Sequence, residues 1–394
     1  MSKLAIKEDI FWVGAQDPDR KLFDALVPLP CGTTYNAYLV KGSEKTVLID
    51  AVDPEKMSDL FRNLEGVNDL DYVVCLHTEQ DHSGCIPEVL GKYSNAKVLC
   101  LPKTKEMLQD LMTVADDRFE VVEDGDEISI GNKTLQFFHF PWVHWPDNTA
   151  VYVKEDKVLF SSDLFGSHYA FGDDLFAGDN PVVYKEAREY YAEIMMLYAR
   201  VTGKYLDRIG ELDIEMICAS HGPVYDQPRL ILDLYEDWMR GPIRNIVVIA
   251  FVSTHGSTRI MAEHLAAELE KQGVETKLFD LVALELNDIS SALVDAATFV
   301  LGSSVVMAAL HPYAANTAFL LDRIRPKAKF AAIFGSYGWS PGPLKKAAEL
   351  IPKLKVEVVG SVISKGHPGD EVLEELAELA AAIADKHREE GLLT

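Results

Sequence analysis

Residues 72–82 read YVVCLHTEQDH, an apolar strand followed at once by a cluster of polar side chains. The cluster holds four possible metal ligands, His77, Glu79, Asp81 and His82. Two carboxylates and two imidazoles at one strand end would be costly to bury unless a cation neutralised the carboxylates. In an extended backbone, His77, Glu79 and Asp81 would lie on one side of the chain, and His82 would turn toward a second point. The spacing therefore predicts two adjacent metal ions.

Three further candidates, His144, Asp163 and His221, each follow a predicted strand elsewhere in the chain. Taken singly, a histidine after a strand is usually a hydrogen-bonded structural residue, and an aspartate there is usually a turn former. The histidine- and carboxylate-rich cluster favours a ligand role for all three, because a metal site needs ligands from several strand ends. His168 is a candidate for a residue that contacts the ligands rather than the metal ions.

Composition limits the classes of protein to which the chain can belong. Its 394 residues are enough for two domains, and its net charge of −24 argues against a nucleic-acid partner. The N-terminal residues lack a signal-peptide pattern and no segment has membrane-spanning length, so we expect a cytoplasmic protein with no membrane association. The five cysteines are scattered and never form a C-x-x-C pair, which indicates reduced thiols. Because no cysteine-rich redox domain is present, electrons would have to come from an external donor.

The first part of the chain alternates short strands with helices, which is typical of an α/β sandwich. Gly241 and Pro242 interrupt its last helix, and we place the domain limits at 1–243 and 244–394. Strands are predicted at 8–13, 35–40, 46–49, 72–76, 97–101, 135–140, 150–153 and 158–161, and helices at 54–64, 103–114 and 184–209.

The second part alternates strictly between apolar strands and helices. Strands that are apolar throughout are typical of a buried parallel sheet, and five of them match the flavodoxin-like, doubly wound topology. The strands are predicted at 246–251, 275–281, 298–302, 330–334 and 356–362.

The metal-ligand pattern resembles that of one protein family over essentially the whole chain. The first domain resembles the metallo-β-lactamase superfamily, an αββα sandwich whose hydrolytic members carry H-x-H-x-D-H and usually bind zinc. Here Glu79 replaces the second histidine, as in the flavodiiron proteins, which also carry a flavodoxin-like domain in the same order. The resemblance implies one iron bound by His77, Glu79 and His144, a second bound by Asp81, His82 and His221, and Asp163 bridging both. Ligand type alone leaves zinc and manganese open.

The resemblance also implies residues that surround the metal ions. Tyr190 and Tyr191 resemble family residues that line the pocket for a gas molecule. Asp24 stands where some relatives carry a histidine, a difference that bears on the choice of gas.

Three segments of the second domain are candidates for binding FMN, because ligands bind at the carboxyl ends of parallel strands. The first resembles the flavodoxin phosphate-binding loop, although small hydroxyl residues also cap helices for structural reasons. The second departs from the family's usual Gly-Ser-Pro-Thr type of sequence, whereas the third combines glycine for close approach with aromatic residues for stacking. The candidates are Ser253, Thr254, His255, Gly256, Ser257 and Thr258; Gly302, Ser303, Ser304, Val305 and Val306; and Gly335, Ser336, Tyr337, Gly338 and Trp339.

The resemblance implies a reductase for O2, for NO, or for both, in which electrons reach a diiron site through FMN. The external donor would be rubredoxin, another redox protein or a reduced deazaflavin. A zinc hydrolase and a non-catalytic redox-binding module are the alternatives, and Glu79 and the intact ligand set respectively argue against them. Because the connection near Gly241 is short, we expect a head-to-tail homodimer, or a dimer of dimers, in which each FMN serves the metal site of the partner subunit.

Overall fold

A computed structural model describes residues 3–283 and 286–393 of the chain. The described residues form two compact units: the first comprises the chain up to Tyr191 with Tyr198–Met239, and the second comprises Ala192–Leu197 with the chain from Arg240 onward. The hexapeptide 192–197 thus groups with the second unit, and the predicted limits at 1–243 and 244–394 stay a prediction. Within the described part of the chain, no helix is both long and apolar enough to cross a membrane.

The first unit contains many short strands. They are β1 (Leu4–Lys7), β2 (Ile10–Trp12), β3 (Ala15–Asp17), β4 (Leu22–Phe23), β5 (Val27–Pro28), β6 (Thr33–Tyr35), β7 (Tyr38–Lys41), β8 (Thr46–Ile49), β9 (Tyr72–Val74), β10 (Lys97–Cys100), β11 (Phe119–Val121), β12 (Glu127–Ser129), β13 (Thr134–His139), β14 (Thr149–Val153), β15 (Val158–Ser162) and β16 (Met216–Ala219). The helices of this part are α1 (Met57–Asn63), α2 (Gln80–Ser83), α3 (Ile86–Lys92), α4 (Pro102–Leu111), α5 (Pro181–Tyr190), α6 (Ala199–Gly210) and α7 (Pro228–Arg240).

Two sheets of these strands pack face to face. The larger has the order β1-β2-β7-β8-β9-β10-β11 and the smaller the order β12-β13-β14-β15-β16. Val47 and Ile49 of β8 belong to the core between the sheets, together with Phe137 and Val151 of the smaller sheet. Leu48, on the other face of β8, belongs to a second core with residues of α1 and α3. This alternation confirms the predicted αββα sandwich.

Three predicted elements of the first unit differ from the structure. The strand predicted at 35–40 is divided between β6 and β7, which belong to different sheets. The helix predicted at 184–209 is interrupted, because Tyr191–Met195 form a π-helical turn and Met196–Tyr198 a 3₁₀ turn between α5 and α6. A wider turn rotates the residues that follow it relative to the preceding helix. The strand predicted at 8–13 begins at Ile10, because Asp9 has a φ of 63° and lies in the turn between β1 and β2.

The second unit is a parallel sheet covered by helices. Its strands are β17 (Arg244–Val252), β18 (Glu275–Asp280), β19 (Ala296–Val306), β20 (Ala309–Leu310), β21 (Phe330–Tyr337) and β22 (Glu357–Lys365), and its helices are α8 (Ser257–Lys271), α9 (Leu286–Ala292), α10 (Pro312–Ile324), α11 (Gly342–Lys345) and α12 (Asp370–Glu389). The order β18-β17-β19-β21-β22, with every neighbouring pair parallel, confirms the predicted doubly wound topology. Apolar cores that include residues of α8 and α12, and of α9 and α10, cover the two faces.

A buried histidine fastens the last helix to the sheet of the second unit. His387 of α12 has no exposed surface. Its Nε2 lies 2.7 Å from Thr298 Oγ1 and its Nδ1 lies 2.7 Å from Asn245 Oδ1. Burial lowers the pKa of His387 from 6.5 to about 4, so the ring is neutral at neutral pH.

All five cysteines are unpaired. Cys31 is partly exposed, whereas Cys75, Cys85, Cys100 and Cys218 are buried. Burial raises the pKa of each thiol, to about 11 for Cys31, to about 12 for Cys85 and Cys100, and well above the usual range for Cys75 and Cys218.

Candidate functional site

The seven candidate metal ligands lie at four strand ends of the first unit. His77 and Glu79 follow β9, and Asp81 and His82 lie in the helical turn α2. The extended backbone that we predicted through Asp81 therefore ends at Glu79, which caps α2. The other ligands come from the β13–β14 loop (His144), the residue after β15 (Asp163) and the segment after β16 (His221).

The ligand atoms form two groups, and the first contains four of them. His144 Nε2 lies 2.9 Å from Glu79 Oε2 and 3.0 Å from Asp163 Oδ2. His77 Nε2 lies 3.5 Å from the same Glu79 oxygen and 3.4 Å from the same Asp163 oxygen. Ligands that bind one ion at about 2.1 Å are separated by roughly 3.0–3.4 Å in octahedral or tetrahedral geometry. The four atoms are thus spaced like the ligands of one metal ion.

The second group uses the other oxygen of Asp163. His82 Nε2 lies 3.1 Å from Asp81 Oδ2, 3.1 Å from His221 Nε2 and 3.4 Å from Asp163 Oδ1. His221 Nε2 lies 3.4 Å from Asp81 Oδ2 and 3.9 Å from Asp163 Oδ1. Asp163 therefore presents Oδ2 to the first group and Oδ1 to the second.

Several of these atoms are short of hydrogen-bond partners. His77 Nε2, Glu79 Oε2, Asp163 Oδ1 and both carboxylate oxygens of Asp81 are buried without a hydrogen bond, although other ligand atoms lie close to them. Buried polar atoms normally find a partner, and buried carboxylates require a cation. The donor set therefore fits two metal ions, and imidazole with carboxylate suits iron as well as zinc or manganese.

The charges of the ligand set favour a cation. Burial opposes protonation of His77, but Asp163 and Glu79 outweigh it and raise the pKa of His77 well above its usual value. The same two carboxylates raise the pKa of His144 to about 9 against the effect of burial. Burial would raise the pKa of Asp163, yet His77 and His144 hold that pKa well below its usual value. The carboxylates are therefore anionic and attract positive charge.

Groups outside the ligand set hold the histidine rings. Ser162 Oγ lies 3.0 Å from His77 Nδ1, and the Thr34 carbonyl oxygen lies 2.5 Å from His221 Nδ1. Because each ring uses Nδ1 in this way, its Nε2 is left for the ligand group. Asp50, which is buried at a φ of 55°, accepts a hydrogen bond of 2.8 Å from Leu76 N, just before the ligand cluster. Sequence reasoning missed these supports, because an isolated serine, threonine or aspartate at a strand end carries no distinguishing pattern.

A cavity of about 300 Å³ reaches the ligand set at Glu79 and Asp81. Asp24 lines this cavity, and the pKa of Asp24 is raised by its burial and then by Glu79 and Asp81. The structure thus places Asp24 at a route to the ligands. The remaining lining residues are Arg20, Phe23, Tyr35, Asp53, Gln80, Leu111 and Trp145.

Tyr190 and His168 lie beside His221, whereas Tyr191 lies elsewhere. The centroid of the His168 ring is 4.9 Å from those of both Tyr190 and His221. Tyr191 packs on Tyr235 and Trp238, and its hydroxyl donates to the Trp238 carbonyl oxygen at 3.2 Å. Consecutive helical residues point about 100° apart, so two neighbouring tyrosines do not share one pocket. The structure gives Tyr191 a packing role, unlike the pocket role implied by the resemblance.

Known proteins share this architecture. Residues 33–222 match the family described as ODP family beta lactamase, and residues 249–390 match flavodoxin. The chain is 33% identical to a nitric oxide reductase of Moorella thermoacetica, over 97% of this chain and 99% of that one. Its structure resembles the rubredoxin oxygen:oxidoreductase of Desulfovibrio gigas with a TM-score of 0.94 and 31% identity, over 98% of this chain and 99% of that one. It also resembles the flavodiiron protein of Giardia intestinalis, with a TM-score of 0.88, 26% identity and 98% of each chain covered. The chain belongs to the flavodiiron proteins.

In the second unit of this flavodiiron protein, the start of α8 has features that suit an anion. Gly256 has a φ of +88° and precedes α8, whose first turn receives no side-chain cap. Open backbone N–H groups and the helix dipole at this end suit one phosphate group. Gly256 N donates to Ser253 Oγ at 3.1 Å, and Thr258 Oγ1 lies 3.0 Å from Ser336 Oγ, which joins the first candidate segment to the third. Thr254 and His255 are exposed and Ser257 begins the helix.

The second candidate segment of the flavodiiron protein is a strand rather than a loop. β19 continues through Ser303, Ser304, Val305 and Val306 and pairs with β20 across a tight turn. That turn consists of Met307 and Ala308, with φ of 51° and 57°. A Cβ at Gly302 would lie 2.3 Å from the Phe334 ring, so this glycine is required for packing within the sheet. The strand predicted to end at residue 302 therefore continues to Val306, because its valines extend the strand pairing.

The third candidate segment of the flavodiiron protein begins in β21 and leaves the sheet after Tyr337. A Cβ at Gly335 would lie 2.2 Å from the Ser303 carbonyl oxygen, whereas Gly338 has open space around its Cβ position. Trp339 is 83% exposed. The segment thus offers an open aromatic ring next to a glycine, as stacking on a flavin would require.

Proposed function

We propose that this flavodiiron protein reduces O2 to water, NO to N2O, or both, at a non-haem diiron site that receives electrons through FMN from an external donor. One observation carries the proposal: the two carboxylate oxygens of Asp163 face two separate groups of histidine and carboxylate atoms. A zinc hydrolase of the same fold would carry a histidine where Glu79 stands. The named relatives, a nitric oxide reductase and an oxygen oxidoreductase, support the same class of reaction.

In the proposed assignment, His77, Glu79 and His144 hold one iron, and Asp81, His82 and His221 hold the other, with Asp163 between them. Two ferrous ions and a reduced FMN supply four electrons, which is the number that converts O2 to two waters, whereas two NO molecules need two electrons to give N2O and water. Ser162 and Thr34 contact Nδ1 of His77 and His221, which would leave Nε2 of each ring free to bind iron.

The residues around the ligands limit what can enter. Tyr190 has almost no exposed surface, and burial together with Asp163 raises the pKa of its phenol well above the usual value. The phenol therefore keeps its proton and stays an uncharged neighbour of the irons. Gly166 makes room for it, because a Cβ there would lie 2.9 Å from the Tyr190 ring. The close packing of Tyr190 against Gly166 and His221 limits entry on this side of the site, whereas the cavity lined by Asp24 reaches the ligands at Glu79 and Asp81.

The FMN contacts are the uncapped start of α8 for the phosphate and the segment 335–339 for the ring. Val305 and Val306 are partly exposed at the end of β19 and border the same edge of the sheet. These assignments rest on the carboxyl ends of the parallel strands, where doubly wound sheets bind their ligands.

Metal and flavin analysis combined with gas consumption tests the proposal. We expect two irons and one FMN per chain after anaerobic reconstitution, and consumption of O2 or NO by the reduced protein in a closed electrode cell. Zinc that resists exchange for iron, together with hydrolysis of ester or lactam substrates and no gas consumption, would favour the hydrolase.

Three finer assignments belong to the same proposal. The donor is a rubredoxin, another redox protein or a reduced deazaflavin. The active unit is a head-to-tail homodimer, alone or as a dimer of dimers, in which FMN of one subunit serves the irons of the other. The compartment is the cytoplasm, which the five unpaired cysteines support.

A further inference from the structure

The hydroxyl of Thr33 lies between two histidines of the candidate site. Thr33 Oγ1 is 2.9 Å from His168 Nδ1 and 3.4 Å from His221 Nδ1. All three side chains are buried. A hydroxyl carries one proton, so Thr33 can donate to only one of these imidazoles. The imidazole that receives this hydrogen bond has to accept it on an unprotonated Nδ1.

The contacts of His221 fix the position of its own proton. Its Nδ1 lies 2.5 Å from the carbonyl oxygen of Thr34, and a carbonyl oxygen can only accept. Nδ1 of His221 therefore carries the proton, and Nε2 keeps the lone pair that the ligand group uses. Thr33 Oγ1 consequently accepts, rather than donates, in its contact with His221 Nδ1.

The proton of Thr33 is then available to His168. The other possible acceptor, Thr34 O, is farther away at 3.3 Å and already accepts from His221. An imidazolium carries a proton on both ring nitrogens, so a ring that accepts a hydrogen bond at Nδ1 is neutral. A neutral imidazole that accepts at Nδ1 carries its proton on Nε2.

Nε2 of His168 is buried and has no hydrogen-bond partner within the described part of the chain. The ring packs between Phe23, Tyr190 and His221, with centroid distances of 4.8, 4.9 and 4.9 Å. A buried donor without a partner is rare and indicates a missing acceptor. We infer that Thr33 is a positioning residue that locks His168 in its Nε2–H tautomer, so that His168 offers one fixed hydrogen-bond donor to a small ligand beside His221.

The tautomer of His168 decides whether its Nε2 attracts or repels a small ligand. O2, NO and small anions such as azide present only lone pairs, so they can accept a hydrogen bond but cannot donate one. With the proton on Nε2, His168 attracts such a ligand, and with the proton on Nδ1 the Nε2 lone pair would repel it. The inference rests on the proposed function and deepens it, because it assigns a hydrogen-bond donor, His168 Nε2, to the gas site.

Two substitutions separate the hydroxyl from the shape of Thr33. Thr33→Val removes the hydroxyl with little change in volume, and Thr33→Ser retains it. The matched control is Thr202→Val, which removes a buried hydroxyl that donates to the Tyr198 carbonyl oxygen at 3.0 Å, outside the site.

The first measurement is the tautomer itself, in long-range ¹H–¹⁵N spectra of zinc-loaded protein with ¹⁵N-labelled histidine, where His168→Gln identifies the signal. We expect an Nε2–H signal for His168 in the wild type, in Thr33→Ser and in Thr202→Val. Thr33→Val should lose this single state and show protonation at Nδ1 or a mixture.

The second measurement uses azide as the probe on the iron-loaded protein. Thr33→Val should weaken azide binding by about three- to tenfold, the effect of one hydrogen bond, and shift the infrared stretching band of the bound azide. Thr33→Ser and Thr202→Val should leave both values near those of the wild type.

The inference is overturned if Thr33→Val changes neither the tautomer nor azide binding. Should Thr33→Val lose its metal, the wild-type spectrum decides alone, because protonation of His168 at Nδ1 contradicts the inference. Failure of the proposed function is separable: the wild type would then lack iron-dependent gas consumption, while the tautomer of the zinc-loaded protein would still be measurable.

Discussion

Asp163 contributes one oxygen to each ligand group, so its side chain affects both metal positions. We predict that Asp163→Ala lowers the affinity for iron at both positions by at least about tenfold and abolishes gas reduction, because each position loses an anionic ligand. Iron per chain after dialysis against a chelator, measured by elemental analysis, checks this. Asp147→Asn is the matched control, since Asp147 is also fully buried but lies outside both ligand groups. Full iron content in Asp163→Ala would contradict the bridging assignment.

At the same scale, the candidate ligands could be predicted from the sequence, but the residues that hold their rings could not. All seven candidate ligands could be predicted, because four of them lie within residues 77–82 and the family resemblance supplied the pattern for the other three. Thr33 and Ser162 could not, because the contact that makes each important joins residues far apart in the chain. Tyr191 differs from both, since the family resemblance implied a place in the pocket, whereas its ring packs on Tyr235 and Trp238.

Among the elements, the start of α8 is the segment to which we assign the phosphate group of FMN. We predict that replacing Thr254 and Ser257 together by leucine weakens FMN binding by at least about tenfold and leaves iron content unchanged, because the two cofactors would be held by separate units. FMN fluorescence on titration gives the affinity, and elemental analysis gives the iron. Thr276→Leu on β18 is the control outside the loop. Loss of iron along with FMN would show that the two units do not bind their cofactors independently.

α12 supplies a prediction about pH. The pKa of His387 falls from 6.5 to about 4 on folding, so the unfolded chain binds the proton first as the pH falls. The stability of the second unit should therefore be full above about pH 6.5 and decline as the pH falls toward about 4. Urea-induced release of fluorescent FMN, compared at pH 7 and pH 5, measures this difference. His387→Phe should show a smaller difference, and an equal difference in both proteins would refute the role of His387.

The elements themselves were predictable where the hydrophobic pattern extends over several residues. The five parallel strands of the second unit follow from their apolar sequences, but the β19–β20 hairpin does not, because its turn depends on positive φ angles at Met307 and Ala308, which are not glycines. The π-helical turn after Tyr190 could not be predicted either, because its residues are compatible with a regular α-helix.

For the whole molecule, we predict that two variants that are inactive alone regain gas-reducing activity when they form a heterodimer. After dissociation and reassociation, Asp163→Ala mixed with Thr254→Leu/Ser257→Leu should form heterodimers with one intact FMN-to-iron pair across the interface. The expectation rests on the family resemblance and on the short connection between α7 and β17, which leaves only residues 241–243. Gas consumption by purified heterodimers carrying two different affinity tags is the measurement. Inactive heterodimers, with the undamaged cofactor of each parent still bound, would rule out transfer between subunits.

The raised thiol pKa values have a consequence for the chemical durability of the whole chain. Peroxide and nitrosating agents attack thiolates, and at neutral pH a thiol with a pKa of about 11 or higher is almost wholly protonated. The native protein should therefore react slowly with a thiol-specific disulfide reagent, and all five cysteines should react once urea unfolds it. The cysteine thiols of a protein that handles O2 or NO thus stay unreactive, so oxidative damage during turnover would begin at the candidate metal ligands or at the exposed side chains of Met307 and Trp339.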